Sequence, residues 1–140
     1  MIVWRNGGFI DASGAVPADD RGYLVGDGVF ETMLLRDGRP AFLDAHLARL
    51  RRGAEVLGME PRIDRTTVLE GIAGLASRLG LHGGAVCRIT LTRSGGVRGL
   101  APTGDAAHDL LIALHPGPVR KPPYRIIVAQ TPRFSGSPTN

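Results

Sequence analysis

Two arginines are placed where a guanidinium could do chemistry, one by projecting into a cleft and one by forming a fork for a carboxylate. Arg49 lies in His46-Leu47-Ala48-Arg49-Leu50, within a stretch whose apolar residues repeat at helical spacing. At about 100° per residue, His46, Arg49, Gly53 and Val56 form a row along one flank of the stripe Leu43, Leu47, Leu50, Ala54 and Leu57. An arginine beside a glycine at the edge of a buried face either projects into a cleft or snorkels to water. Arg98 belongs to Gly95-Gly96-Val97-Arg98-Gly99, which is either a flexible connection or a mount for a fork that meets a carboxylate. A third feature is the turn Gly26-Asp27-Gly28 in the stretch Asp19 to Thr32, placed between two apolar runs. Its glycines permit a sharp bend and close approach of another strand or a ligand.

Other chemistries lack their residues. The four histidines, at positions 46, 82, 108 and 115, have no partner at metal-ligand spacing, and one cysteine, Cys87, cannot build a thiolate zinc cluster. We therefore expect no metal site. No Gly-x-Ser-x-Gly elbow, Walker loop or dinucleotide fingerprint occurs. The basic residues are sixteen arginines and a single lysine, Lys121, giving a net charge of +4. Acids are interspersed among them, no basic block of five or six appears, and aromatics do not alternate with arginine, so no nucleic-acid partner is expected. No apolar run approaches the roughly 20 residues that span a bilayer, and the N-terminus lacks a signal-peptide layout. The expectation is no membrane partner and a cytoplasmic location, with which a lone cysteine agrees.

The elements that position these residues follow from pattern. Asn6-Gly7 between Ile2-Val3-Trp4-Arg5 and Gly8-Phe9-Ile10 is a hairpin signal. Asp11 to Asp20 reads as a loop. Val29 to Arg36 is a strand, returned by Asp37-Gly38 into Arg39-Pro40-Ala41-Phe42. The helix over Leu43 to Leu57 is predicted to use Asp44 as N-cap and Gly58 as terminator. A second helix carries Val68, Ile72, Leu75 and Leu79, with Thr67 and Glu70 as a capping box and Gly80, Gly83 and Gly84 as stop signals. Ala85 to Arg93 alternates as a strand that places Arg88 on one face or at a sheet edge. Asp109 to His115 and Arg125 to Thr131 read as two more strands. Strands, two helices, then strands imply an α+β lobe: an antiparallel or mixed sheet with two helices on one face.

With these elements placed, the stretch GYLVGDGVFETMLLRDGRPAFLDAHLARLRRGAEVLGM resembles the N-terminal lobe of the class IV (fold-type IV) pyridoxal-phosphate enzymes. That family includes branched-chain and D-amino-acid aminotransferases and 4-amino-4-deoxychorismate lyase, and RITLTRSGGVRGLAP is similar to its later strand and loop. The resemblance implies pyridoxal 5'-phosphate as cofactor, with Arg49 gripping its phosphate. It also implies Phe30 as the wall on the substrate side and Arg98 as the arginine that meets the substrate carboxylate. Glu31, within the motif, is expected to brace the core edge or a loop by hydrogen bonding rather than to catalyse.

Family members hold the cofactor covalently on a lysine that also moves the α-proton. Lys121 does not match that position, and RFSGSPTN is similar to the segment just before it. The expectation is therefore a lobe over 1–132, the start of an interdomain connection over 133–140, and no catalytic residue within this chain. The implied activity is exchange between an amino acid and a 2-oxo acid. The alternatives are the lyase reaction, which releases 4-aminobenzoate and pyruvate, and a non-catalytic basic binding lobe. Val97-Arg98-Gly99-Leu100 lacks the tyrosine that often ends this loop in the lyases, which favours the aminotransferase. Small-molecule substrates and a homodimer follow from the resemblance.

Overall fold

In the computed structural model, residues 1–94, 99, 101, 107–117, 123 and 125–128 are described. The chain begins with the expected hairpin, β1 (Ile2–Arg5) and β2 (Gly8–Asp11), joined at Asn6 and Gly7, both with positive φ. A single 3-10 turn, Ala12–Gly14, interrupts the segment read as loop. The stretch Asp19 to Thr32 contains a short helix that periodicity did not reveal, α1 (Arg21–Val25). Asp20 caps it by accepting the Tyr23 amide at 2.8 Å. Gly26, at φ +70°, closes it in a left-handed conformation. Five residues are too few for a periodic signal, but the pair Asp20 and Gly26 marks both ends.

β3 (Gly28–Arg36) follows, and the second hairpin is shorter than expected, β4 being only Arg39–Pro40. Then come α2 (Leu43–Val56), α3 (Arg65–Leu79), β5 (Gly84–Ser94) and β6 (Ala107–Pro116). The six strands form one sheet in the order β2-β1-β6-β5-β3-β4, antiparallel at every pairing. This decides between the antiparallel and mixed alternatives. β5 lies inside the sheet between β3 and β6, so Arg88 is on an open face and not at an edge.

Alternation sorts the two faces. On β3, Val29, Glu31, Met33 and Leu35 are buried, whereas Phe30, Thr32, Leu34 and Arg36 are exposed. The register sets Cys87 between Met33 and Leu114, and Ile89 between Glu31 and Ile112, so these residues share the covered face. α2 covers that face with Leu43, Leu47, Leu50 and Ala54, against β3. α3 covers it with Val68, Ile72 and Leu75, against β1 and β6. Burying one such leucine or isoleucine contributes roughly 1.5–3 kcal/mol, which outweighs helix-propensity differences of a few tenths per residue. Gly71 lets α3 sit directly on Trp4, since a Cβ there would lie 3.1 Å from the indole. Cys87 is fully buried in this core, and burial pushes its thiol up to about 12, making it an inert packing residue.

Both helix starts differ from expectation. Phe42, at φ +54°, precedes α2 without a side-chain cap, and Asp44 sits in the first turn paired with Arg65 at 2.7 Å. For α3 the cap is Asp64, which accepts from the Thr67 amide at 2.7 Å and hydroxyl at 3.0 Å. Thr67 is therefore the recipient of the cap and not its origin. The expected stops hold, Gly58 and Gly80 having φ of +67° and +66°. Arg125 to Val128 forms no strand and Ile126, Ile127 and Val128 are exposed; the remainder of the expected strand to Thr131 lies outside the described residues. So do Lys121 and the segment 133–140.

Gly28 shows why the turn triplet ends in glycine. A Cβ there would stand 2.7 Å from the Leu91 carbonyl oxygen, a backbone atom that cannot swing away. Gly28→Ala is expected to destabilise the lobe by about 1–3 kcal/mol through this overpacking. Thermal unfolding followed by circular dichroism checks it, with Gly14→Ala, which meets nothing within 4 Å, as the comparison.

Candidate functional site

Glu31 is the charged residue among the covered-face positions of β3, and its carboxylate needs partners there. They come from the flank of α2 read from the helical spacing. Arg49 donates to Glu31 through Nε to Oε1 and Nη2 to Oε2, both at 2.5 Å. His46, one turn earlier, stands with Nδ1 at 2.7 Å from Oε2. Glu31 is buried, His46 nearly so, and the Arg49 side chain is 53% exposed. Burial pushes the Glu31 carboxyl up, but the hydrogen bonds from Arg49 and His46 and their charges outweigh it and hold it below the usual glutamate range. Glu31, by its hydrogen bonds and its charge, in turn holds Arg49 above its ordinary value. Glu31 thus braces the core edge, as expected, and Arg49 emerges at the rim instead of snorkelling freely.

This arrangement fits a phosphate monoester. A guanidinium offers two forks, the side formed by Nε and one Nη and the end formed by both Nη atoms. Glu31 occupies the side, and Nη1 has no hydrogen-bond partner among the described residues. The end fork is therefore available to two oxygens of an oxyanion.

Phe30 adjoins Glu31 on β3 and points to the opposite, open face, 53% exposed. The Arg88 guanidinium lies over its ring, 3.7 Å from the centroid. Among the described residues only Leu35 and Arg36 of β3 pair with β4, so there Phe30 and Glu31 lie on the sheet edge. Phe30 and Arg49 are consequently on two sides of one exposed strand edge, not on one surface. Arg98 lies outside the described residues. His46 and Arg88 were given no site role from the sequence. The inward parity of Glu31 with Val29, Met33 and Leu35 is the signal for the first, since a carboxylate on that face demands a partner from the helix above it.

Asp27, the centre of the glycine-flanked turn, does not aim into a cleft. It is the hub of a buried cluster, accepting from Arg21 Nε at 2.8 Å and Arg93 Nε at 3.0 Å. Arg93 also donates to the Leu57 carbonyl beyond α2, and Arg21 to the Gly99 carbonyl at 2.9 Å. Asp20 adds a bond from the Thr92 hydroxyl at 2.7 Å, fixing α1 to β5. The turn therefore ties α1, β3, β5 and the end of α2 together. A cavity of about 350 Å³ opens elsewhere, beside Trp4, Asn6, Asp64 and His108. Arg62 and His108 also line it, but Arg49, Glu31, Phe30 and Arg88 do not, and its Asp64 is spent on capping α3. No cluster of three potential metal ligands occurs among the described residues.

The six-stranded antiparallel sheet with two long helices on one face is a fold that the chain shares with fold-type IV enzymes. The chain belongs to the amino-transferase class IV family, which it matches over residues 28–139. It is 49% identical over 49 residues to the bifunctional aminodeoxychorismate lyase / D-amino acid transaminase of Mycobacterium tuberculosis, a match covering 34% of this chain and 17% of that protein. The solved 4-amino-4-deoxychorismate lyase of Pseudomonas aeruginosa superposes with a TM-score of 0.67 at 31% identity, over 85% of this chain and 41% of that one. A hypothetical aminotransferase from Mycobacterium tuberculosis, in its PLP-bound form, gives 0.65 at 27% identity, over 84% and 40%. The chain thus spans about two-fifths of the length of these solved relatives.

Proposed function

We propose that this chain is the phosphate-gripping lobe of a pyridoxal-phosphate-dependent aminotransferase that exchanges an amino acid with a 2-oxo acid. The observation that carries the proposal is Arg49, held on its side fork by Glu31 with its end fork open at the rim of α2. When bound, pyridoxal phosphate supplies the electron sink that stabilises negative charge at the substrate Cα. Arg49 takes the phosphate, and because Glu31 fixes the guanidinium beforehand, little side-chain order is lost on binding. Phe30, with Arg88 stacked on it, forms an apolar wall on the open face of β3, and Arg98 is assigned the substrate carboxylate. Such a protein works as a homodimer in the cytoplasm. The exposed Tyr23, Leu24 and Val25 of α1 are apolar surface of the kind a second subunit covers.

A second reading, release of 4-aminobenzoate and pyruvate from aminodeoxychorismate, is favoured by the lyase relatives. Both reactions begin by removing the α-proton and use the same phosphate grip. The longest polypeptide containing this chain, supplied with pyridoxal phosphate, is assayed for amino-acid/2-oxo-acid exchange and for 4-aminobenzoate release. Exchange is the expected result. Release alone selects the lyase, and activity in neither assay contradicts both.

A further inference from the structure

Valine or leucine would fill the Glu31 position on the covered face without desolvating a charge. The carboxylate instead spends both oxygens on the partners described above. Arg49 is bonded at Nε and Nη2, which fixes the guanidinium plane, and His46 bonds Oε2, which stops the carboxylate from rotating. The His46 ring packs beside the guanidinium on the side that Glu31 holds. Its Nδ1 lies 3.1 Å from Arg49 Nη2, and an Nδ1 that donates to Glu31 has no lone pair left for that amine. The contact is thus packing beside the Glu31 bond, and the end fork, which Glu31 does not occupy, is left open on a half-exposed side chain.

We propose that Glu31, backed by His46, is a positioning residue that presents the end fork of Arg49 to a phosphate monoester without touching the phosphate itself. This assignment rests on the phosphate role proposed for Arg49. Charge and orientation give it opposite signs. Glu31 repels a phosphate dianion, so on Coulomb grounds alone its removal tightens binding. If Glu31 acts by orienting Arg49, its removal loosens binding even though the local charge becomes more positive.

The test is the affinity for pyridoxamine 5'-phosphate, read by fluorescence titration of the longest polypeptide containing this chain. Pyridoxamine without phosphate is the reference ligand. Glu31→Gln removes the charge, Glu31→Asp keeps it but shortens its reach, and Arg49→Ala removes the grip. Thermal melts select a temperature at which every variant compared is folded. The expected result is weakening by about tenfold or more in both Glu31 variants, the scale of one charge-assisted hydrogen bond, with pyridoxamine affinity unchanged. Tighter or unchanged phosphate binding in folded Glu31→Gln overturns the proposal. Should that variant not fold, unchanged binding in Glu31→Asp does so. Unchanged binding in Arg49→Ala, or no binding by the wild type, contradicts the phosphate role itself. Weakening in Arg49→Ala alone leaves that role standing and removes Glu31 from it.

Discussion

Arg49→Ala is expected to weaken retention of pyridoxal phosphate by about 100-fold or more, the scale of two charge-assisted hydrogen bonds lost from one guanidinium fork. The measurement is the cofactor bound per polypeptide after gel filtration, followed by equilibrium titration. Arg49→Lys separates charge from geometry. Lysine supplies a positive charge but a single ammonium in place of a planar fork, so it restores only part of the affinity. Arg49→Ala also deprives Glu31 of its cation, whereas Arg49→Lys leaves it an ammonium in place of the bidentate fork, and a buried carboxylate that loses its cation destabilises the lobe. Thermal unfolding therefore accompanies the binding measurement, and the retention loss is read where the variants are folded. Equal retention by wild type and Arg49→Ala would remove the phosphate assignment.

The largest stability effect is expected at Asp27. Its carboxylate lies between Arg21 and Arg93, and all three side chains are nearly inaccessible, at 11%, 7% and 6% exposed. Asp27→Ala leaves two buried guanidinium groups sharing no anion, and breaking a buried pair in this way costs about 3–5 kcal/mol. For a domain of this size that corresponds to roughly 10–20 °C in Tm. Asp19→Asn, at an exposed acid eight residues earlier, is expected to stay within about 0.5 kcal/mol. Denaturant unfolding of the three proteins checks both. An Asp27→Ala protein as stable as Asp19→Asn would show that the cluster contributes nothing to holding the turn.

Asp27 also shows where sequence reasoning stops. The glycines around it announced a bend and a close approach, and Gly28 indeed abuts the Leu91 carbonyl. What the bend delivers was not legible, because Arg21 and Arg93 are 72 residues apart and meet only when β5 returns beside β3. Long-range strand pairing creates this cluster, and no local pattern encodes it. The helices and most strands were legible because apolar period is local: Leu43, Leu47 and Leu50 mark a helix face before any packing is known. Helix starts were less so. Asp44 and Thr67 are good capping residues two and three positions too late, and the backbone chose Phe42 and Asp64. The run Arg125 to Val128 has strand composition, yet composition supplies no partner, and these residues are exposed and form no strand.

The candidate site divides the same way. Arg49 could be placed on the flank of its helix from spacing alone, and the structure puts it at the rim. Phe30 came from the motif, and its orientation away from Arg49 follows from strand alternation with Glu31. Arg88 reaches Phe30 because both lie on the open face of neighbouring strands, with Phe30 paired to Thr90 and Arg88 to Thr32. That diagonal contact adds roughly 0.5–1 kcal/mol at an exposed position and gives the ring a fixed cationic neighbour.

The central claim is that this lobe recognises a phosphate monoester through the end fork of Arg49. Its most direct test is the ratio of affinities for pyridoxamine 5'-phosphate and pyridoxamine, measured by titration in wild type and in Arg49→Ala. The ratio isolates the phosphate group, since ring contacts cancel. A large ratio in the wild type that collapses by about 100-fold in the variant is the predicted result; the same ratio in both proteins would contradict the claim.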